Sequence, residues 1–145
     1  MDAETANGWL DAHFAPWVRA LAPRVEKMAC TGVIVSIPVT DEICRTGGQV
    51  SGQALATLAD TAMVLACAGH FKAFRPVATT NLDVQFLRPA NGERISCTAT
   101  IVRAGRALIF TRAVLTAEPS GKEVATATAT MAVPPAPARP ATAGA

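Results

Sequence analysis

The sequence has few aromatic residues, few charges and few histidines. The small number of charges and histidines argues against particular classes of protein. Its 145 residues include five Phe, two Trp and no Tyr, and only 17% are charged. Thirteen Lys and Arg against eleven Asp and Glu leave a net charge of +2, too balanced for a nucleic-acid binder that relies on a basic stripe. The two histidines, His13 and His70, offer little for a Ser–His–Asp or Cys–His arrangement, and no nucleophile-elbow motif is present.

The cysteines and the apolar runs exclude further classes. The four cysteines are widely spaced, with no C-x-x-C pair and no histidine at ligand spacing, so we predict that they bind no metal. We expect them to be reduced thiols, as in a cytoplasmic protein. The acidic, polar start predicts no signal peptide. The longest apolar stretch, residues 54–69, is shorter than the roughly 20 residues that span a bilayer and contains Asp60.

The length and composition indicate one packed domain. Half of the residues are hydrophobic, and a chain of this length can bury a real core. We expect a single domain over residues 1–133, beginning with a helical segment at about 5–22 that Pro16 interrupts. Residues 134–145 are rich in Pro and Ala and are expected to form a disordered tail.

Apolar spacing predicts one long helix and five strands. Residues 29–39 are β-branched and reach Pro38, which is typical of an edge strand. Residues 52–70 are apolar on every side, which predicts a buried helix ended by Gly69. Four β-rich segments follow, at 77–88, 94–104, 106–117 and 123–133. We therefore expect an α+β fold in which a curved, five-stranded antiparallel sheet wraps around the helix.

Two residues of the predicted helix are candidates for chemistry. Asp60 lies in the middle of an apolar helix, where a carboxylate needs a partner, a raised pKa or a cleft. Gly52 opens the helix, where free N–H groups and the helix dipole attract a developing oxyanion. A structural hydrogen bond for Asp60 and a simple cap for Gly52 are the alternatives.

The spacing of the two residues predicts a dimer if both are catalytic. They are eight residues apart, or about 12 Å along a helix, so within one chain they cannot reach the same carbonyl group. Two copies with antiparallel helices would bring Asp60 of one subunit to Gly52 of the other.

Three motifs resemble one known family. Residues 47–62 (GGQVSGQALATLADTA), 79–90 (TTNLDVQFLRPA) and 103–106 (RAGR) are similar to the helix, second strand and later turn of hotdog-fold acyl-CoA thioesterases of the PaaI-like group. The similarity runs from about residue 29 to 133. It implies the hotdog fold, with a long central helix, and hydrolysis of an acyl-CoA or aryl-CoA thioester without a further cofactor. It also implies a homodimer, assembled as a dimer of dimers, with neither nucleic acid nor membrane as a partner.

The resemblance also implies roles for individual residues. Asp60 corresponds to the carboxylate that activates water or attacks the thioester, and the Gly52 N–H to the donor that polarises its carbonyl. Thr79 is the first choice for the strand hydroxyl that supports the carboxylate, with Thr80 beside it. The chain departs from the family where Ser51, Gly52 and Gln53 replace the usual His-Gly-Gly.

Further residues are candidates for substrate binding. Ser51 either replaces the family's His or caps the helix, and Gln53 faces either the pocket or solvent. Asn81 lies beside the two threonines. Between positions 88 and 122, six basic residues face two acidic ones, which favours binding of the phosphates of coenzyme A, with solvated charges on the strands as the alternative. Arg88 and Arg106 are the first candidates for this contact.

Two alternatives remain at the level of the sequence. Loss of the family's His, and of an Asn whose place is taken by Arg45 or Thr46, motivates a non-catalytic acyl-CoA-binding protein. A hotdog dehydratase or hydratase would require a His–Asp or His–Glu pair, which two histidines make less favourable.

Overall fold

The computed structural model describes residues 1–135 of the chain. Two helices, two strands and a short 3-10 helix precede the central helix: α1 (Ala3–His13), α2 (Pro16–Arg19), β1 (Arg24–Ala29), β2 (Gly32–Pro38) and the 3-10 helix Asp41–Ile43. The central helix and four strands follow: α3 (Gly52–Phe71), β3 (Ala78–Phe86), β4 (Arg94–Ala104), β5 (Leu108–Glu118) and β6 (Glu123–Ala132). Residues 136–145 of the expected tail lie outside the described residues.

The strands form one antiparallel sheet around α3, as expected, but the sheet has six strands rather than five. Its order is β1-β2-β4-β5-β6-β3, so β1 and β3 are the edges. The prediction that the strand ending at Pro38 is an edge was wrong, because β2 lies between β1 and β4. Pro38 is tolerated there because it is the last residue of its strand.

The alternating segments carry the core on one face of the sheet. Every second residue is buried along the whole of β5, in the first half of β4 (Ile95, Cys97 and Ala99) and in β6 from Ala125 to Met131, as the alternation predicts. The helix supplies small residues and larger apolar ones to the same core. The larger ones include Leu58, Met63 and Leu65, which are at most 1% exposed. By length and composition α3 could cross a membrane, but two-thirds of its apolar window is buried, so it is the core helix.

Gly69 has a different role from the one expected. The helix continues to Phe71 and is capped by Lys72 in the left-handed region, with φ of 57°. A β-carbon at position 69 would lie 2.7 Å from the sulfur of Met28. Glycine therefore allows β1 to pack closely on the helix.

Candidate active site

Asp60 lies in the third turn of α3 and is half-buried beside β3. Its Oδ1 accepts a hydrogen bond from Thr79 Oγ1 at 2.8 Å, which is the contact expected for these two residues. The Thr79 hydroxyl also lies 3.3 Å from the sulfur of Met131, which packs beneath it. Thr79 therefore orients one carboxylate oxygen and leaves Oδ2 available to another partner.

An apolar cleft of about 200 Å³ opens at Asp60. The cleft is lined by Phe14, Trp17, Val18, Ala56, Thr57, Asp60, Thr61, Val64 and Leu82. Asp60 is the one ionisable group among these residues. Apolar walls screen a charge less than water does, so the carboxylate interacts strongly with a polar group that enters the cleft.

The loop before α3 determines how the helix begins. Gly47 and Gly48 have φ of 102° and 81°, values that favour glycine, and they turn the chain back towards the helix. Ser51 Oγ accepts a hydrogen bond from the N–H of Ala54 at 3.2 Å, so Ser51 caps the helix. Among the described residues, no acceptor contacts the N–H of Gly52, which remains available to a ligand.

Gly52 lines a second cleft, of about 350 Å³, that is distinct from the cleft at Asp60. A β-carbon at position 52 would lie 3.2 Å from the ring of Phe86, so glycine permits this packing. Arg45 and Arg88 line the same cleft and make it basic. One chain therefore holds the helix N-terminus and the carboxylate apart, as their spacing predicts.

The remaining candidates are distributed around the sheet. Arg88 also borders a neighbouring basic cleft with Lys122, and Gln53 is exposed in the first turn of α3. Thr80 is directed elsewhere, because its hydroxyl donates to the carbonyl of Thr130 at 3.1 Å.

Asn81 and Arg106 also lie away from the carboxylate within one chain. Asn81 pairs with Thr130, on the opposite face of β3 from Leu82, which lines the Asp60 cleft. Arg106 lies in the turn between β4 and β5 and lines neither the Asp60 cleft nor the Gly52 cleft.

Sequence reasoning missed two aromatic residues of the Asp60 cleft. Phe14 is partly buried, whereas Trp17 is 64% exposed. The available signal was Pro16, which separates α1 from α2 and begins the second helix. Helical periodicity continued across the proline would place both residues on a single buried face.

The thiols and the acidic residues form no further centre in the part of the chain that is described. Cys67 and Cys97 are buried in the core, and burial raises the pKa of each thiol to about 12. Cys30 and Cys44 are free as well. Within residues 1–135, no group of three or more His, Cys, Asp or Glu residues could hold a metal ion.

The family model for the thioesterase superfamily matches residues 47–124, which are 78 of the 145 residues. The chain therefore belongs to the thioesterase superfamily. The matched region includes the loop before α3, the whole of α3, β3 to β5 and the start of β6. No curated protein sequence matches the chain.

Solved structures share most or nearly all of this fold at low sequence identity. A thioesterase family protein from Silicibacter pomeroyi is 27% identical, with a TM-score of 0.78 over 90% of this chain and 96% of its own. A thioesterase from Haemophilus influenzae is 19% identical, with a TM-score of 0.82 over 92% and 91%. A hypothetical thioesterase protein from Streptococcus pneumoniae, solved with coenzyme A, is 23% identical, with a TM-score of 0.71 over 77% and 85%. These likenesses confirm the predicted hotdog fold.

Proposed function

We propose that the protein hydrolyses acyl-CoA or aryl-CoA thioesters, with Asp60 as the general base or the nucleophile. The observation that carries the proposal is the Asp60 carboxylate, held by Thr79 at 2.8 Å in an apolar cleft. Membership of the thioesterase superfamily supports the reaction class. The coenzyme A bound by the Streptococcus pneumoniae neighbour supports the class of substrate.

Either role of Asp60 uses the oxygen that Thr79 does not contact. As a base, Oδ2 takes a proton from water while the water oxygen attacks the thioester carbon. As a nucleophile, Oδ2 attacks that carbon itself, and water then hydrolyses the resulting anhydride. In both routes the carbon–sulfur bond breaks and coenzyme A leaves as a thiol after protonation of its sulfur.

The Gly52 N–H is proposed to stabilise the oxyanion from the other subunit. Phe86 packs on Gly52 at one end of β3, and Thr79 contacts Asp60 at the other end. If two copies pair their β3 strands antiparallel about the middle of the strand, Phe86 of each comes beside Thr79 of the other. Asp60 then faces the partner subunit's Gly52, whose N–H group and helix dipole stabilise negative charge.

Basic residues near Gly52 are proposed to bind the phosphates of coenzyme A. Arg45 and Arg88 line the Gly52 cleft and give this side of the site a positive charge, which would attract the phosphates at the far end of the pantetheine arm. Arg106 lies at the opposite end of the sheet, and the same antiparallel pairing carries it towards the Arg88 end of the partner. Gln53, which is exposed directly after Gly52, is proposed to contact the substrate at the same junction.

The wider assembly is proposed to be a dimer of dimers of the PaaI-like type in the cytoplasm. Val102, Leu108 and Phe110 are exposed large apolar side chains on β4 and β5, where a second interface would bury them. The four free thiols agree with a reducing compartment.

A panel of acyl-CoA and aryl-CoA thioesters, assayed by release of free thiol, tests the proposal. We expect Asp60→Asn to lower kcat/KM at least about a hundredfold while substrate binding is retained. The matched control is Asp11→Asn, which removes an exposed carboxylate of α1 and should leave turnover unchanged. Equal turnover by the wild type and the Asp60 variant would refute the assigned role.

One observation favours a second candidate, a non-catalytic acyl-CoA-binding protein. Ser51, at the position where the family has His, uses its hydroxyl oxygen to cap α3. Binding of acyl-CoA without hydrolysis by the wild type, unaffected by Asp60→Asn, would support this candidate.

A further inference from the structure

The cleft at Asp60 includes a part of the chain that precedes the matched superfamily region. Phe14, Trp17 and Val18 belong to α2 and the turn before it, whereas the family match begins at residue 47. On the other sides, Ala56 and Val64 of the helix and Leu82 of β3 complete the cleft. The superfamily region therefore supplies the carboxylate, and the N-terminal segment supplies an aromatic wall beside it.

Trp17 differs from the other aromatic residues of the N-terminal segment. Trp9 and Phe14 contact Phe74, with ring centroids 6.4 and 6.0 Å apart, and both are partly buried. Trp17 is 64% exposed and has no aromatic neighbour among the described residues. A large apolar ring left exposed beside a catalytic carboxylate is a feature of ligand-binding clefts.

Contacts outside the cleft hold the aromatic wall in place. The His13 ring stacks on Phe74, with centroids 4.0 Å apart and the planes within 2° of each other. Pro16 begins α2 and restricts the backbone at the junction with α1. The segment therefore packs Phe14 on the core and places Trp17 at the Asp60 cleft.

The chemistry of the two clefts distinguishes the two ends of a thioester. The Asp60 cleft contains no cation among its lining residues, whereas the Gly52 cleft contains Arg45 and Arg88. Phosphates of coenzyme A therefore favour the basic cleft, and the acyl group is left with the apolar one. Its volume of about 200 Å³ exceeds the roughly 150 Å³ of an engineered cavity that holds benzene.

We propose that Phe14 and Trp17 form the wall of the acyl pocket and determine which acyl group is accepted, favouring a compact apolar group about the size of one ring or a short chain. The inference rests on the proposed hydrolysis of thioesters and adds the residues that select the acyl group. Aromatic walls provide a large contact area at little cost in conformational entropy.

The kinetic test compares hexanoyl-CoA with dodecanoyl-CoA. We expect Trp17→Ala to raise the ratio of kcat/KM for the long chain to that for the short chain by at least tenfold, and Trp17→Phe to retain most of the wild-type preference. The control, Arg19→Ala, changes the same helix outside the cleft and should leave the ratio unchanged. An unchanged ratio in Trp17→Ala would overturn the assignment.

A binding test does not depend on turnover. Trp9→Phe leaves Trp17 as the single tryptophan, and Asp60→Asn in the same chain suppresses hydrolysis. Hexanoyl-CoA is expected to shift the Trp17 fluorescence, whereas coenzyme A alone is not. If hexanoyl-CoA shifts the Trp17 fluorescence but the wild type hydrolyses no thioester, the acyl pocket is supported and the proposed hydrolysis is refuted.

The opposite results would overturn the pocket alone. Hydrolysis by the wild type with no response of Trp17 to hexanoyl-CoA would place the acyl group elsewhere. Dissociation of the oligomer in Trp17→Ala, measured by sedimentation velocity, would show that a second copy of the chain covers Trp17.

Discussion

The two edges of the sheet are built differently. β1 has six residues and a bulge after Val25, and the side chain of Asn7 pairs with the backbone of Val25. Asn7 Nδ2 donates to the Val25 carbonyl at 3.1 Å, and its Oδ1 accepts from the Val25 N–H at 2.9 Å. β3 has nine residues, and eight of them are exposed, with Leu82 and Phe86 among the large apolar ones.

The difference indicates which edge is closed and which is open to a partner. Bulges, charged residues and covering elements block edge-to-edge pairing, and β1 combines all three with α1 lying against it. β3 also has a bulge, near its start, and one charged residue, Asp83, but within the described residues no N-terminal helix packs on it as α1 packs on β1. The open edge is also the one beside Asp60, so assembly and chemistry are proposed to share it.

The strongest test of this contrast places a charge on the open edge. Leu82→Lys is expected to dissociate the dimer and lower hydrolysis at least about a hundredfold, because Leu82 is at the middle of β3 and two lysines would face each other across the proposed pairing, on the face that lines the Asp60 cleft. Sedimentation velocity measures the first effect, and activity that recovers as protein concentration rises would link it to the second. The control, Ala29→Lys on β1, is expected to alter neither, and a fully active dimeric Leu82→Lys would contradict the open-edge assignment.

A smaller effect is expected from the hydrogen bond that β3 makes to the helix. Thr79→Val removes the donor to Asp60 and should lower kcat/KM by about 10- to 100-fold, since a hydrogen bond to a charged group contributes about 1.5–3 kcal/mol. Thr79→Ser keeps the donor and is expected to retain most activity. A Thr79→Val protein as active as the serine variant would show that the contact is structural only.

Substitutions at the closed edge should change the stability of the protein and not its assembly. Asn7→Ala removes both hydrogen bonds to Val25, which is expected to lower the free energy of unfolding by about 1–2 kcal/mol. Urea denaturation measures the change. Asn7→Asp retains the acceptor for the Val25 N–H and serves as the comparison. If Asn7→Asp lowers the free energy of unfolding as much as Asn7→Ala does, the retained hydrogen bond has no stabilising role.

The smallest effect is expected from a substitution in α1, the helix that covers β1. Gly8 lies inside α1, and a β-carbon at this position would contact nothing within 4 Å. Gly8→Ala is therefore expected to raise the free energy of unfolding by about 0.5–1 kcal/mol through helix propensity. No gain in a thermal or urea transition would indicate that α1 is not part of the cooperative unit that unfolds.

Local patterns predicted the elements whose residues keep one period. The alternation of β4 to β6 and the apolar run of α3 were interpreted correctly, because each period places the same side chains in the core. β1 was missed because its bulge separates the buried Val25 and Met28 by three positions, which breaks the period of two. The hydrogen bond from Thr79 to Asp60 was predicted from the family resemblance, and their roles in catalysis stay a prediction.

The sequence by itself determined the fold class and the position of the carboxylate, since apolar periodicity and one charge in an apolar helix are local features. The tertiary structure alone decided which strands are edges, that Gly69 accommodates Met28, and that Trp17 stands at the Asp60 cleft. These features depend on contacts between segments that are distant along the chain, and no local period records such contacts.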